Sequence, residues 1–291
     1  MSSFYRSLSL IFGVFMTSAA SLGAAEGGGH KLPLNAEALH DAFPVTNSTV
    51  MVWITTLIIV LFCRAAAGKL AMVPVGFQNF AEWLIEGLYN FFGGLLGDHL
   101  IKKTFWFFGG TFLFILINNW LGLIPGVGTV GWDIELEGGS STFLALMRGA
   151  NADLNMTTAM SVVFMICWTY WAITENGIKG FIGHIFAPKG KFNGGMLVGM
   201  VVVFFMVGLL EVISILIRPI ALSFRLFGNV YGGEQTLESL MHLVPAKLAF
   251  LPALPFYFVE ILVGLVQALV FTLLGAIFLA LICDHGDEEH H

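Results

Sequence analysis

One arginine, Arg225, lies within the apolar stretch LSFRLFGNVYGGE, residues 222–234, where the first acidic residue after it is Glu234. A guanidinium stays protonated in proteins. Placing it at the depth of a lipid bilayer costs about 2.5–3.5 kcal/mol on insertion scales. Such a charge persists where it lines a wet cavity or meets a partner on another segment. Arg225 is therefore the first candidate for a functional residue.

Other polar residues recur around Arg225 with helical spacing. Glu211, Arg218 and Arg225 are seven residues apart, which is nearly two turns, so the three share one stripe of a helix. Asn229 lies one turn beyond Arg225 and extends that stripe. Glu234 is nine residues away and falls on the opposite side of an ideal helix.

Two of these positions allow more than one interpretation. Arg218 directly precedes Pro219, so it could bond the carbonyl groups that the proline leaves free, or it could form with Glu211 a buried ion pair that only fixes the packing. Asn229 could be a hydrogen-bond donor between helices without a further role.

The last apolar segment carries a second polar pair, Glu260 and Gln267, which are again seven residues apart and share a face. Glu260 has no charged partner within its own helix. Because an isolated ionised carboxylate is costly in apolar surroundings, Glu260 is protonated, hydrated or paired with another helix.

The elements that must position these residues belong to a membrane protein. The 291 residues are 57% hydrophobic and only 11% charged, whereas a soluble domain carries about 25% charged residues. A net charge of −6 without a basic cluster excludes a nucleic-acid partner. No spacing typical of a metal site or a cofactor motif is present, so none is predicted.

The first 25 residues predict a cleavable signal peptide. Arg6 is the only charge, Leu8–Met16 is a short apolar core, and GAA at 23–25 is typical of a cleavage site. An uncleaved first membrane helix is the alternative, and a mitochondrial transit peptide would contain more arginine. Residues 26–47 are predicted to be a polar segment outside the membrane, and residues 48–291 a single membrane domain.

The remaining chain predicts an all-α polytopic protein. Residues 75–100 form an amphipathic helix expected along the membrane surface. Residues 194–243 and 248–283 would extend about 75 and 54 Å, against a hydrocarbon core of about 30 Å. Each therefore breaks or tilts, and we interpret them as a tilted helical hairpin. Three other segments are predicted to be conventional membrane helices: about residues 50–63, 104–124 and 156–173. The first apolar run is short, so residues 46–49 and 65–67 are expected to complete its span.

The distribution of basic residues predicts the orientation. Three of them, Lys31, Arg148 and Lys247, fall on the side of the amino terminus, which is predicted to be outside, with the carboxyl terminus inside. The larger group falls on the other side: Arg64, Lys69, Lys102, Lys103, Lys179, Lys189 and Lys191.

The motif RLFGNxYxGE at residues 225–234 resembles that of subunit a of the F-type ATP synthases, and the resemblance covers about residues 47–291. The segments GLLEVIS at 208–214, PFYFVEILVGLVQALVF at 255–271 and NADLNMT at 151–157 are also similar to segments of that family. The loop around residues 132–141 departs from the pattern, and its role is open.

The resemblance implies residue roles. Arg225 matches the central arginine of the family, and Glu260 occupies a position that is histidine in some members and glutamate in others. The stripe of Arg225 would face another subunit, with Leu222 and Asn229 near that contact and Phe227 half a turn away. The implied residues of the ion pathway are Asp153, Asn155, Glu211, Arg218, Asn229, Glu234, Glu260 and Gln267.

The resemblance also implies a function. The chain would be the stator subunit that moves ions, most simply protons, through two half-channels against a ring of c subunits, without being a catalytic subunit itself. Its partners would be that ring, the peripheral-stalk b subunits, the catalytic head and the lipid of a bacterial inner membrane. A secondary transporter is an alternative, although no internal repeat is found. An intramembrane hydrolase would need a motif such as HExxH or GxSxG, and neither occurs.

Overall fold

The computed structural model describes residues 36, 38–40, 43–68, 74, 76–124, 127, 130–135, 141–186, 195–242 and 250–283. The predicted signal peptide at 1–25 lies outside these residues. Each of the five long helices in the described part is long and apolar enough to cross a membrane, which confirms an all-α membrane protein. The helices are α1 (Asn47–Ala67), α2 (Phe77–Gly122), α3 (Leu154–Phe186), α4 (Gly195–His242) and α5 (Phe250–Cys283).

Helices α2 and α3 each contain one kink at a glycine. Gly97 in α2 has φ 74° and Gly177 in α3 has φ 68°, a left-handed conformation that suits a residue without Cβ. The kink in α2 separates the predicted amphipathic segment from the predicted second span. Near both kinks, Lys103 Nζ lies 2.7 Å from Glu175 Oε1, so an ion pair joins α2 to α3.

The core is aromatic and lies among α2, α3 and α5. Phe107 and Phe108 of α2 pack against Trp171 of α3 with ring centroids 5.3 and 6.1 Å apart. Phe164 of α3 packs on Phe271 of α5 at 5.6 Å. Large rigid rings hold these three helices in one arrangement, and α4 packs against α3 and α5 at one side.

Buried hydroxyl and amide groups join neighbouring helices. Thr55 of α1 donates to Asn118 Oδ1 of α2 at 2.9 Å. Ser223 of α4 lies 3.0 Å from the Thr158 hydroxyl and donates to Thr157 Oγ1 at 3.2 Å, both in α3. Such bonds are worth about 0.6 kcal/mol each between membrane helices. Because they are directional, they also fix how each helix is rotated about its axis.

Two short antiparallel hairpins are present that the sequence analysis does not predict. Strands β1 (Ala38–His40) and β2 (Phe43–Thr46) precede α1, and β3 (Gly131–Glu135) pairs with β4 (Ser141–Ala145) before a 3₁₀ turn at Ala150–Ala152. The second pair occupies part of the loop at 126–153. Strands of three to five residues carry too little alternation of polar and apolar residues to be recognised in sequence.

Candidate functional site

Arg225 lies on the open side of α4. Its side chain is exposed, whereas Leu226 and Phe227 directly after it are 0% and 7% exposed. Within the part of the chain that the structure describes, Arg225 has no hydrogen bond and takes part in none of the ion pairs. Its charge therefore points away from the helices of its own chain.

The predicted surroundings of Arg225 need one correction. Asn229 is exposed, as expected for the stripe, but Leu222 is 3% exposed and belongs to the core, so placing it on the open stripe is wrong. Leu222 is only about 60° from Arg225 on a helical wheel. Because α3 packs against that side of α4 through Ser223, 60° is enough to move a side chain from the open face to the buried one.

A cleft between α2, α4 and α5 brings four predicted residues together. Asn229, Glu234, Glu260 and Gln267 all line it. The Asn229 amide donates to Gln267 Oε1 at 2.7 Å, which connects α4 to α5 one turn beyond Arg225. The polar stripe of the last segment and the motif around Arg225 are therefore parts of one site.

Glu260 is 7% exposed, and its carboxylate lies directly against the backbone of Gly233 in α4. A Cβ at Gly233 would overlap both carboxylate oxygens, so the glycine makes room for the acid. No ion pair to Glu260 occurs among the described residues. Pairing with a charged residue of another helix, one of the three predicted possibilities, is thus not found within that part.

Glu234 faces a loop of its own chain. Its Oε2 lies 3.8 Å from Nε of Arg148, which is 6% exposed. A Cβ built on Gly149 would lie 2.8 Å from Glu234 Oε1, so the loop backbone encloses the other oxygen. The guanidinium carbon of Arg148 is 6.0 Å from the centre of the Tyr231 ring. A half-buried acid of α4 thus contacts the loop that precedes the 3₁₀ turn.

Asp153 lies at the start of α3 and is 5% exposed. Its Oδ1 accepts hydrogen bonds from the backbone N–H groups of Asn155 at 3.0 Å and Ala36 at 3.4 Å. Burial raises the pKa of the Asp153 carboxyl, while these two bonds and the charge of Arg148 act in the opposite direction. Asn155 therefore contributes its backbone to this acid.

Sequence reasoning missed three residues of this region: Arg148, Asn119 and Asn151. Asn151 donates to Asn119 Oδ1 at 2.7 Å, and Asn119 donates to the carbonyl oxygen of Gly264 in α5 at 3.0 Å. The available signal for Asn119 was an amide in the last turn of an apolar helix. Arg148 was counted only for orientation, and its pairing with Glu234 joins residues 86 positions apart.

Glu211 and Arg218 form a separate pair on α4. Arg218 Nη2 donates to Glu211 Oε1 at 3.0 Å, and the guanidinium carbon lies 4.1 Å from the ring centre of Phe278 in α5. This confirms the ion pair but not its burial, because the Glu211 side chain is 45% exposed. A bond from Arg218 to a freed carbonyl is not found among the described residues. Arg218 is about 24 Å along α4 from Glu234, so the pair lies outside the cleft.

The family described as ATP synthase A chain matches residues 49–280, which include all nine predicted site residues. The chain belongs to this family. It is therefore a multi-pass membrane protein and a component of the ATP synthase complex rather than one of its catalytic subunits.

Several curated relatives agree. An ATP synthase subunit a of Solidesulfovibrio magneticus is 30% identical over 251 residues, covering 85% of this chain and 90% of the relative. An ATP synthase subunit a 1 of Pelobacter propionicus is 32% identical over 243 residues, covering 84% and 90%. One from Citrifermentans bemidjiense is 31% identical over 245 residues, covering 84% and 88%. Each of these three relatives is therefore matched over most of its length.

Proposed function

We propose that the chain is the proton-translocating stator of an F-type ATP synthase, in which two half-channels against a rotating c-ring let ion flow drive ATP synthesis. The observation that carries the proposal is the exposed arginine on an uncovered helix face. In the most apolar stretch of α4, which precedes Arg225 in the helix, only 6% of the residues are buried within the described part of the chain, whereas the corresponding share in α2 is 61%.

The residues beside Arg225 support a protein partner on that face. Phe224 is 58% exposed and Ile220 is 55% exposed, so the arginine is embedded in apolar surface. Lipid can cover apolar side chains but cannot neutralise a guanidinium, whose cost in hydrocarbon is several kcal/mol. A carboxylate on the neighbouring ring would remove that cost.

The charge of Arg225 explains how rotation couples to ion release. A ring carboxylate that faces lipid is neutral, because an apolar environment disfavours its charged form. When it reaches Arg225, the opposite charge favours the ionised form and the proton leaves. The same fixed charge repels cations and blocks direct leakage between the half-channels, as arginines do in other pores. Each proton crossing the full field is driven by about 2.3 kcal/mol per 100 mV.

The polar groups on either side of Arg225 suit two separate access paths. We assign the cleft residues Asn229, Glu234, Glu260 and Gln267, together with Asp153 and Asn155, to the outer half-channel. Their supporting observation is that the first four line one cleft. Glu211 and Arg218 are assigned to the inner half-channel, since they lie on the same helix but away from the cleft.

The proposal includes a placement in the membrane. The basic residues favour an amino terminus outside and a carboxyl terminus in the cytoplasm of a bacterial cell, with the signal at residues 1–25 removed. Helix α2 before Gly97 would lie along the membrane surface, because Phe80 and Trp83 are 50% and 68% exposed there. Helices α4 and α5 would form the tilted hairpin against the ring, while b subunits link the chain to the catalytic head.

Cysteine cross-linking in the assembled complex tests the proposed ring face. Single cysteines at Phe224 and Asn229 should cross-link to a cysteine near the ring carboxylate, because both positions are exposed beside Arg225. Single cysteines at Leu226 and Phe227 are the matched controls and should react weakly, since both are buried. The native Cys63, Cys167 and Cys283 are replaced beforehand.

Equal reaction at all four positions, or no cross-link to any small subunit, would contradict a ring face. Ion transport by the chain reconstituted alone, without a ring, would favour the secondary transporter instead.

A further inference from the structure

Arg148 is a buried cation next to the acids of the proposed outer half-channel. It is 6% exposed, and its Nε lies 3.8 Å from Oε2 of Glu234 on α4. Its charge also acts on Asp153 at the start of α3.

We propose that Arg148 is a positioning residue for proton uptake, which holds the Glu234 carboxylate in its ionised form against the backbone of Gly149. The inference rests on the proposed function, because it assigns Arg148 to the outer half-channel. Glu234 is the group that receives the proton, and Arg148 acts through it.

The geometry supports a held carboxylate rather than a mobile one. One Glu234 oxygen faces the guanidinium, and the other lies where a side chain on Gly149 would be, 2.8 Å from the position of its Cβ. Position 149 is buried, so a side chain added there could not turn away freely. The loop thus contacts one oxygen of Glu234 with the charged side chain of Arg148 and the other with the backbone of Gly149.

The charges of the group suit the uptake of one monovalent cation, which in the proposed function is a proton. Ionised Asp153 and Glu234 with Arg148 leave one net negative charge, which a single proton on Glu234 cancels. Among the described residues, Glu260 of α5 lines the same cleft as Glu234, and the ring of Tyr231 on α4 lies 6.0 Å from the guanidinium carbon of Arg148. An arginine cannot lose its own proton, so the cation stays in place throughout the cycle.

The test is passive proton conduction through the membrane sector in vesicles after removal of the catalytic head. The pH on the outer side is varied at constant inner pH, and the midpoint of the dependence is compared between variants. In Arg148→Gln this midpoint should rise by roughly 1 pH unit or more, because a carboxylate without its cation takes up a proton at higher pH. Arg148→Lys should keep the wild-type midpoint because it keeps the charge.

A second variant and a double variant make the test independent of folding defects. Gly149→Ala should also raise the outer midpoint, because the added methyl displaces the Glu234 carboxylate from Arg148 while φ at 149 is −50°, which alanine adopts. In a Glu234→Gln background, Arg148→Gln should change the midpoint no further. The amount of the chain in purified complex is measured for each variant.

Two outcomes would overturn the inference. In the first, Arg148→Gln and Gly149→Ala keep the wild-type outer midpoint. In the second, both variants reduce proton conduction by the same factor at every outer pH, as a purely structural defect would. If Glu234→Gln is impaired while these two keep that midpoint, only the role of Arg148 is wrong. If Glu234→Gln conducts as wild type does, the proposed outer half-channel itself is wrong.

Discussion

Arg225 and Arg148 are two arginines of one membrane chain with opposite surroundings. Arg225 is exposed on α4 and has no charged partner among the described residues, whereas Arg148 is buried beside Glu234 and near Asp153. Within the described residues, one charge is balanced by an acid of its own chain and the other is not. The contrast is what the proposed contact of Arg225 with a second subunit would explain.

The two faces of α4 repeat this contrast. On one face Leu222, Ser223 and Leu226 are at most 3% exposed, and Ser223 is bonded to hydroxyl groups of α3. On the other face Phe224 and Arg225 are open. Because Arg225 forms no hydrogen bond or ion pair among the described residues, its direction depends on how the buried face fixes the rotation of α4.

Removing the open charge should have the largest effect. Arg225→Ala should abolish gradient-driven ATP synthesis and ATP-driven pumping in the reconstituted complex while the complex still assembles, because Arg218, the other arginine of that stripe, is about two turns away and already paired with Glu211. Arg225→Lys should not restore full activity, since an ammonium lacks the planar fork and can lose its proton when desolvated. Phe224→Ala is the neighbouring control and should keep most activity. Substantial synthesis by Arg225→Ala would refute the role given to the open face.

Glu260→Gln should reduce activity strongly but incompletely. Glutamine keeps the volume and the hydrogen-bonding capacity but cannot titrate, so passive proton conduction through the membrane sector should fall more than the yield of folded complex. Glu260→His should be partly active with a shifted pH optimum, because histidine titrates at a different pH. Conduction equal to wild type in Glu260→Gln would show that the cleft acid takes no part in transport.

Two adjacent glycines of α4, Gly232 and Gly233, give a matched comparison beside the Glu260 carboxylate. Gly233→Ala places a methyl group against the Glu260 carboxylate, while a Cβ at Gly232 meets nothing within 4 Å. Since a flexible side chain can move aside, Gly233→Ala should lower conduction with little loss of stability. Gly232→Ala should keep conduction and gain up to about 1 kcal/mol of helix propensity. Equal conduction in the two variants would mean that the position of Glu260 is not critical.

Ser223→Ala should have the smallest effect on activity. It tests whether the buried contact of Ser223 fixes the direction of Arg225 on the open face of α4. It removes hydrogen bonds to Thr157 and Thr158, at about 0.6 kcal/mol each. We expect a slightly lower thermal unfolding temperature in detergent and a modest loss of coupled activity. Ser214→Ala, at an exposed serine of the same helix, is the control. A larger loss of activity in the control than in Ser223→Ala would contradict the anchoring of Arg225 by this contact.

Much of the fold was predictable because it depends on local sequence. Long apolar runs specify helices, and α4 and α5 occupy the segments predicted at 194–243 and 248–283. The kinks at Gly97 and Gly177 and the short strands at 131–145 were not predicted, since they depend on backbone conformations that several sequences allow. Helical spacing correctly separated Glu234 from the face of Arg225, but it misplaced Leu222.

The sequence by itself determined which residues carry charge in an apolar chain and which of them share a helix face, because helical periodicity is a local property. Only the tertiary structure decided which charges are balanced. Arg148 meets Glu234 across 86 residues, and Asn229 meets Gln267 across 38. Helical spacing within one segment cannot predict such contacts. They depend on how the large side chains of α2, α3, α4 and α5 pack, because this packing sets the rotation of each helix about its axis.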